Sequence, residues 1–155
     1  MRANLTSTGF TLIELLLTLA IFIMVGTTLT PLYGNLSVAT QLNEETSQLV
    51  QTIRLARERA VSGFFASRHG VCFESGAGAS RYIFYQGANC AARVAAADRV
   101  TVLPPALTWS STLPLPDINF NSTGAPSVTG TVSLVHATAG QRVISINDLG
   151  LVEEQ

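Results

Sequence analysis

The sequence contains no lysine, only two cysteines and one tryptophan, and little charge of either sign. Nine arginines face ten acids, and charged side chains make up 12% of 155 residues, about half the share usual in a soluble domain. That balance excludes a broadly basic nucleic-acid binder, whose affinity rests on many cationic contacts to phosphate. Two cysteines cannot build a disulfide-dense scaffold or, by themselves, a four-ligand zinc site. What is plentiful is hydrophobicity, at 47%, which excludes intrinsic disorder. The length suits one ordinary domain and hardly two.

The hydrophobicity is concentrated. Residues 10–32 hold 15 hydrophobic side chains in 23 positions, and their single charge is Glu14. As a helix rising ~1.5 Å per residue, a segment of that length crosses a ~30 Å hydrocarbon core. The residues before it are polar, with Arg2 and no acid. The positive-inside tendency therefore keeps this end cytoplasmic and places the chain beyond residue 32 outside. The apolar stretch is longer than that of a cleavable secretory signal, and no small-residue cleavage pattern comes after it. A single-pass anchor is the plain reading. Glu14 argues for more, because a carboxylate in an apolar segment is costly and usually has a partner and a function. Snorkelling of Glu14 to the interface is the bland alternative.

The string Gly9-Phe10-Thr11-Leu12-Ile13-Glu14-Leu15 resembles the processing site of type IV prepilins and pseudopilins. The resemblance implies a leader at 1–9, cut by a prepilin peptidase between Gly9 and Phe10, with methylation of the new Phe10 amine. It also implies that Glu14 of an incoming subunit pairs with the Phe10 amine of its neighbour. Both charges are costly in a low dielectric, so pairing relieves both and sets register. Pro31 stands where pilins commonly have a proline, and a proline inside a helix kinks or loosens it. The implied partners are the peptidase, other major and minor pseudopilins or pilins, and inner-membrane lipid.

Beyond Gly34 the apolar residues Leu42, Thr46, Leu49, Ile53, Ala56, Ala60 and Phe64 follow helical three-and-four spacing. The helix is expected to continue through 33–66, and its stripe to pack on a sheet. From Gly70 the period changes to two, with expected strands at 70–74, 81–86, 99–103, 107–110, 118–121, 131–136 and 142–147. Turns are expected at Gly76-Ala77-Gly78, Gly124-Ala125-Pro126 and Ala139-Gly140. The fold class is thus α+β, a long N-terminal helix packed on an antiparallel β-rich head over 67–155. Leu55-Ala56-Arg57-Glu58-Arg59-Ala60-Val61, followed by Gly70-Val71-Cys72, is similar to a segment of the general secretion pathway H / FimT pseudopilins. The order of Ile118 to Gly124, Thr131 to Leu134, Arg142 to Asn147 and the closing Gly150-Leu151-Val152 resembles the head of the same family. Arg59 stands where that family usually has a small residue.

Cys72 and Cys90 fall in the part expected to be exported, where a disulfide persists; a bridge and two separate thiols both fit. Arg54, Arg57 and Arg59 read as a solvated face with an Arg54–Glu58 pair, or as an inter-subunit or anion contact. Some FimT-like pilins bind DNA through basic residues near the C-terminus, but this tail ends in Glu153-Glu154-Gln155 and repels phosphate. His69 and His136 sit in no metal-ligand spacing, and no nucleophile motif is present. Asn147, Asp148 and Asp117 lack calcium-loop spacing, and turn chemistry explains Asn147-Asp148-Leu149-Gly150. Trp109 and Phe120 read as core. No enzyme activity, cofactor or metal is expected. The resemblance implies a minor pseudopilin or minor pilin, at or near the tip of a type II secretion pseudopilus or a type IV pilus, with its head periplasmic. Two other readings stay open: a DNA-binding minor pilin of a competence pilus, and a single-pass membrane binding module unrelated to pili.

Overall fold

The computed structural model describes the chain from Gly9 onward apart from residues 77–78, with side chains left undescribed at 28–36 and 76. The leader 1–8 and most of the Gly76-Ala77-Gly78 turn therefore lie outside the described residues, as do the side chains of Pro31 and of the expected span beyond Thr27. Among the described residues, no helix is long and apolar enough to cross a membrane. The chain divides into two compact units, one ending at Ser37 and the other Val38–Gln155.

Helix α1 covers Leu12–Val61, and its helical backbone includes Pro31. It ends earlier than the expected residue 66. Gly63 takes a left-handed φ of 67°, the conformation that ends helices and that glycine adopts without a Cβ penalty. A short 3-10 turn, Phe64–Ala66, comes next. Phe64, expected on the buried stripe, lies beyond the helix and is half exposed.

In the second unit, eight strands form two antiparallel sheets. The first has the order β3-β2-β1-β5, built from Arg99–Val102, Ala79–Gln86, His69–Gly76 and Asp117–Phe120. The second has the order β4-β6-β7-β8, built from Leu107–Ser111, Gly130–His136, Gly140–Ile146 and Val152–Glu154. Each expected strand is present within a residue or two of its expected bounds. β8 was not among the expected strands; Gly150-Leu151-Val152 entered only in the resemblance to the family head. Three residues are too few to display a period.

The core explains why the helix and sheets are adjacent. Leu42, Thr46, Leu49, Ile53, Ala56 and Ala60 are buried as the spacing predicts, and Val50 joins them. Apart from Thr46, these side chains pack in one cluster with Val71, Phe73, Tyr82 and Phe84 of the first sheet and Val132, Leu134, Ile144 and Ile146 of the second. The buried Thr46 hydroxyl donates to the Leu42 carbonyl at 2.7 Å, so its polar atom does not go unpaired in the core. Phe120 is buried, whereas Trp109 is only half-buried against the cluster. The first sheet also carries a smaller, separate cluster of Cys72, Ile83 and Tyr85, with Cys90 packed on it. The segment around Cys90, which the sequence left without an assignment, is a bridge from Gly87 to Arg93 and a 3-10 turn at Ala95–Ala97.

Candidate assembly site

The first site begins where α1 begins. Thr11 precedes the first helical residue, and its hydroxyl accepts the Glu14 N–H at 3.3 Å. This is half of a capping box, in which a threonine and a glutamate three residues on serve the open end of a helix. The spacing was legible in the sequence, and Thr11 was the residue missed. A carboxylate in the first turn is also favoured by the helix dipole. Glu14 is exposed, and so are its apolar neighbours: Phe10 is 81% exposed, Leu12 77% and Phe22 77%. The exposed set includes Leu15, Leu16, Leu17, Leu19 and Ile21, which no single helical stripe can hold. The segment is apolar on every side. An apolar patch of this extent marks a protein or membrane contact.

The second unit supplies its own cohesion. On α1, Arg54 and Glu58 are exposed, as a solvated face requires, but Arg57 and Arg59 are half-buried. The guanidinium of Arg54 donates to the Val152 carbonyl at 3.0 Å. Arg57 donates to the carbonyls of Gly124 and Leu149, each at 3.2 Å. Among the described residues, the ion pairs are Arg81–Glu74, Arg93–Glu74 and Arg93–Asp98, so the Arg54–Glu58 pair is absent. Gly150, at φ 73°, lets the chain approach this clamp: a Cβ there would lie 2.2 Å from the Gly124 carbonyl oxygen and 2.9 Å from Arg57 Nε. An open cleft of about 410 Å³ lies between Arg54, Arg57 and Glu58 and the chain at 150–153. Arg59 lies 5.0 Å from the Phe64 ring centre and 5.1 Å from that of Phe84, a cation–π position. The site of the family's small residue is thus used here to cover two rings.

Cys72 and Cys90 are joined by a disulfide with Cα atoms 5.7 Å apart. Among the described residues, Cys72, Glu74 and Cys90 are grouped as a metal site would require, but the bond between the two sulfurs removes both as ligands. Beside them lies a buried polar network. Tyr85 donates to Asp117 Oδ2 at 2.6 Å, the Cys90 N–H donates to the same oxygen at 3.1 Å, and Asn119 Nδ2 donates to the Tyr85 hydroxyl at 3.1 Å. Burial, then the adjoining Asp117, pushes the Tyr85 hydroxyl well above the usual tyrosine range. Gly70 makes room for the network, since a Cβ there would lie 2.4 Å from the Ile118 carbonyl oxygen and 2.7 Å from the Tyr85 hydroxyl.

The two histidines are separate and buried. His136 Nδ1 accepts the N–H groups of Thr138 and Ala139 at 3.1 and 3.2 Å, which closes the turn between β6 and β7. His69 stacks on Phe84 with ring centres 5.9 Å apart, and burial lowers its pKa, with Arg59 adding to the shift and a backbone hydrogen bond at Ser67 opposing it. Asn147 Oδ1 accepts the N–H groups of Leu149 and Leu151 at 3.0 and 2.9 Å, a turn stabilised by its own side chain.

Comparison with known proteins bears on this arrangement. No curated protein matches the chain. A crystal structure of the type IV minor pilin FimU from Pseudomonas aeruginosa is similar in fold, with a TM-score of 0.60 at 18% identity, over 75% of this chain and 89% of that one. Residues 45–150 match the family described as type II transport protein GspH. That match takes in the buried face of α1 from Thr46 onward, the disulfide and all but the last strand, and the chain belongs to the GspH family, within the pseudopilin and minor-pilin superfamily.

Proposed function

We propose that the protein is a minor subunit at or near the tip of a type II secretion pseudopilus or a type IV pilus, and that its role is assembly and not catalysis. The observation that carries this reading is the contrast between a self-contained second unit and an exposed, all-round apolar segment holding one acid. Such a segment has two solvents open to it, lipid and the matching segments of other subunits. The sequence at 1–32 supports a single-pass anchor in the inner membrane, with the chain beyond residue 32 outside. On this reading a prepilin peptidase cuts between Gly9 and Phe10 and methylates the new amine. Glu14 then meets the Phe10 amine of a neighbouring subunit. The pairing is most valuable where water is scarce, because an unpaired carboxylate there is strongly disfavoured.

Two measurements test the reading. The intact chain from cells with the peptidase should be lighter than that from cells without it by the mass of the leader 1–9, less the mass that one methyl group adds back. An unchanged mass would favour a single-pass binding module. Glu14→Leu should insert normally but fail to co-purify with partner subunits; recovery equal to wild type would overturn the assigned role of Glu14. The Arg54 and Arg57 guanidiniums already serve carbonyls of the same chain, and the tail beside them is acidic, which weighs against a DNA-binding role.

A further inference from the structure

We infer that the Cys72–Cys90 bridge forms and exchanges through Cys90: the folded, reduced head offers Cys90 to a disulfide-bearing oxidant, and Cys72 acts only as the buried resolving thiol. Access is the first argument. Cys72 lies inside β1, between β2 and β5, and is 1% exposed. Cys90 lies on the covering segment 87–98 and is only partly buried. Of the two residues, it is Cys90 that offers surface to an external disulfide.

The second argument is that the covering segment is held by contacts other than the bridge. Asn119 Nδ2 donates to the Gly87 carbonyl at 3.0 Å, and the Gly87 N–H donates to the Arg68 carbonyl at 2.9 Å. The Val94 N–H donates to the Gln86 carbonyl at 2.8 Å. Asp117 takes the Cys90 N–H itself. Arg93 pairs with Glu74 at 3.3 Å and with Asp98 at 2.8 Å. Breaking the sulfur–sulfur bond leaves these in place, so Cys90 stays docked over Cys72.

Electrostatics separates the two thiols further. Arg93 Nη1 stands 3.2 Å from Cys90 Sγ and also donates to the Cys90 carbonyl at 2.9 Å. A guanidinium at that distance favours the thiolate, which is the reactive form. Cys72 has the opposite surroundings. It is buried, which disfavours a thiolate; the Asp117 carboxylate lies across the strand from Cys72 and also accepts the Cys90 N–H, so its charge acts on both thiols. A Glu74 carboxylate oxygen lies within 4.8 Å of both sulfurs and acts against either thiolate, but Arg81 and Arg93 pair with it. Tyr85, the remaining titratable neighbour, is occupied as a donor to Asp117.

The chemistry balances. The Cys90 thiolate attacks one sulfur of the oxidant's disulfide; a Cys90–oxidant bond forms, the oxidant's own bond breaks, and one oxidant thiolate leaves and takes up a proton. Cys72 then loses its proton and attacks Cys90 Sγ. The intramolecular bond forms and the second oxidant sulfur leaves as a thiol. Two thiols of the protein are oxidised, and one disulfide is reduced to two thiols.

The test uses the full chain in detergent and oxidised glutathione as the probe. Cys72→Ser should accumulate a mixed disulfide on Cys90, at least about tenfold faster than Cys90→Ser acquires one on Cys72. Cys90→Ser should react readily only once urea unfolds it. Arg93→Gln, placed on Cys72→Ser, should slow the reaction at neutral pH and move its pH midpoint upward, while Arg93→Lys keeps the midpoint near that of the parent. Equal rates for the two serine variants, or a faster Cys72, would overturn the inference. So would a midpoint unmoved by Arg93→Gln. If Arg93→Gln fails to fold, the pair of serine variants decides alone.

Discussion

Two stretches of α1 are built on aliphatic side chains, ten of them among residues 12–27 and seven among residues 42–60, yet they meet water in opposite ways. Residues 12–27 expose theirs on every side. Residues 42–60 gather theirs on one face, and Leu49, Ile53 and Ala56 are wholly buried. Propensity does not separate the two, since both are good helix formers. The arrangement of polar residues does. Around the second stretch, Gln41, Asn43, Glu44, Ser47, Gln48 and Gln51 cover the outer faces, so one chain can satisfy it. In the first stretch Glu14 is the only charge, and the contacts that satisfy the segment must come from outside the chain.

The sharpest way to break this comparison is a truncation on the buried face. Ile53→Ala should cost ~2–5 kcal/mol of stability by loss of contacts and creation of a cavity, read by chemical unfolding. A comparable loss from Leu16→Ala would erase the distinction between the stretches. The disulfide comes next: the double variant Cys72→Ser, Cys90→Ser opens a bridge of sequence separation 18 and should lose ~3 kcal/mol on the chain-entropy account. Its near-ultraviolet signal should persist, because the polar contacts of 87–98 remain. Arg57→Ala removes hydrogen bonds to the part-buried Gly124 carbonyl and to the exposed Leu149 carbonyl and should cost ~1–3 kcal/mol, chiefly at Gly124, with thermal unfolding as the measure.

Smaller effects refine the contrast. His69 has a lowered pKa in the folded state, so the unfolded chain binds its proton first as pH falls. Stability from this group is therefore full above the ordinary value of 6.5 and declines as pH drops below it. His69→Gln should flatten that decline as pH falls below 6.5. Glu14→Leu should leave the unfolding of the second unit unchanged within ~0.5 kcal/mol, although it should abolish co-assembly. That pairing of no folding effect with a large assembly effect would mark the first stretch as serving contacts outside the chain.

Much of the head was readable because its signals are periodic. The buried stripe of α1 and seven of the strands follow from spacing alone. The readings that changed concern single side chains with partners distant in sequence. Arg54 was expected beside Glu58, one helical turn away, but its partner is Val152, 98 residues along the chain. Phe64 matched the helical spacing, but Gly63 had already turned the chain. The covering segment at 87–98 has no period, and its hold comes from Asp117 and Asn119 on β5.

By itself the sequence determined where the apolar mass lies, which face of the helix is buried, and that one acid stands in the apolar run. Those properties depend on order and spacing along the chain. Only the tertiary structure decided that Cys72 and Cys90 meet, that Arg57 holds two turns together, and that a three-residue tail becomes β8. Each of these depends on groups brought together from distant positions, and local propensity carries no record of such distances.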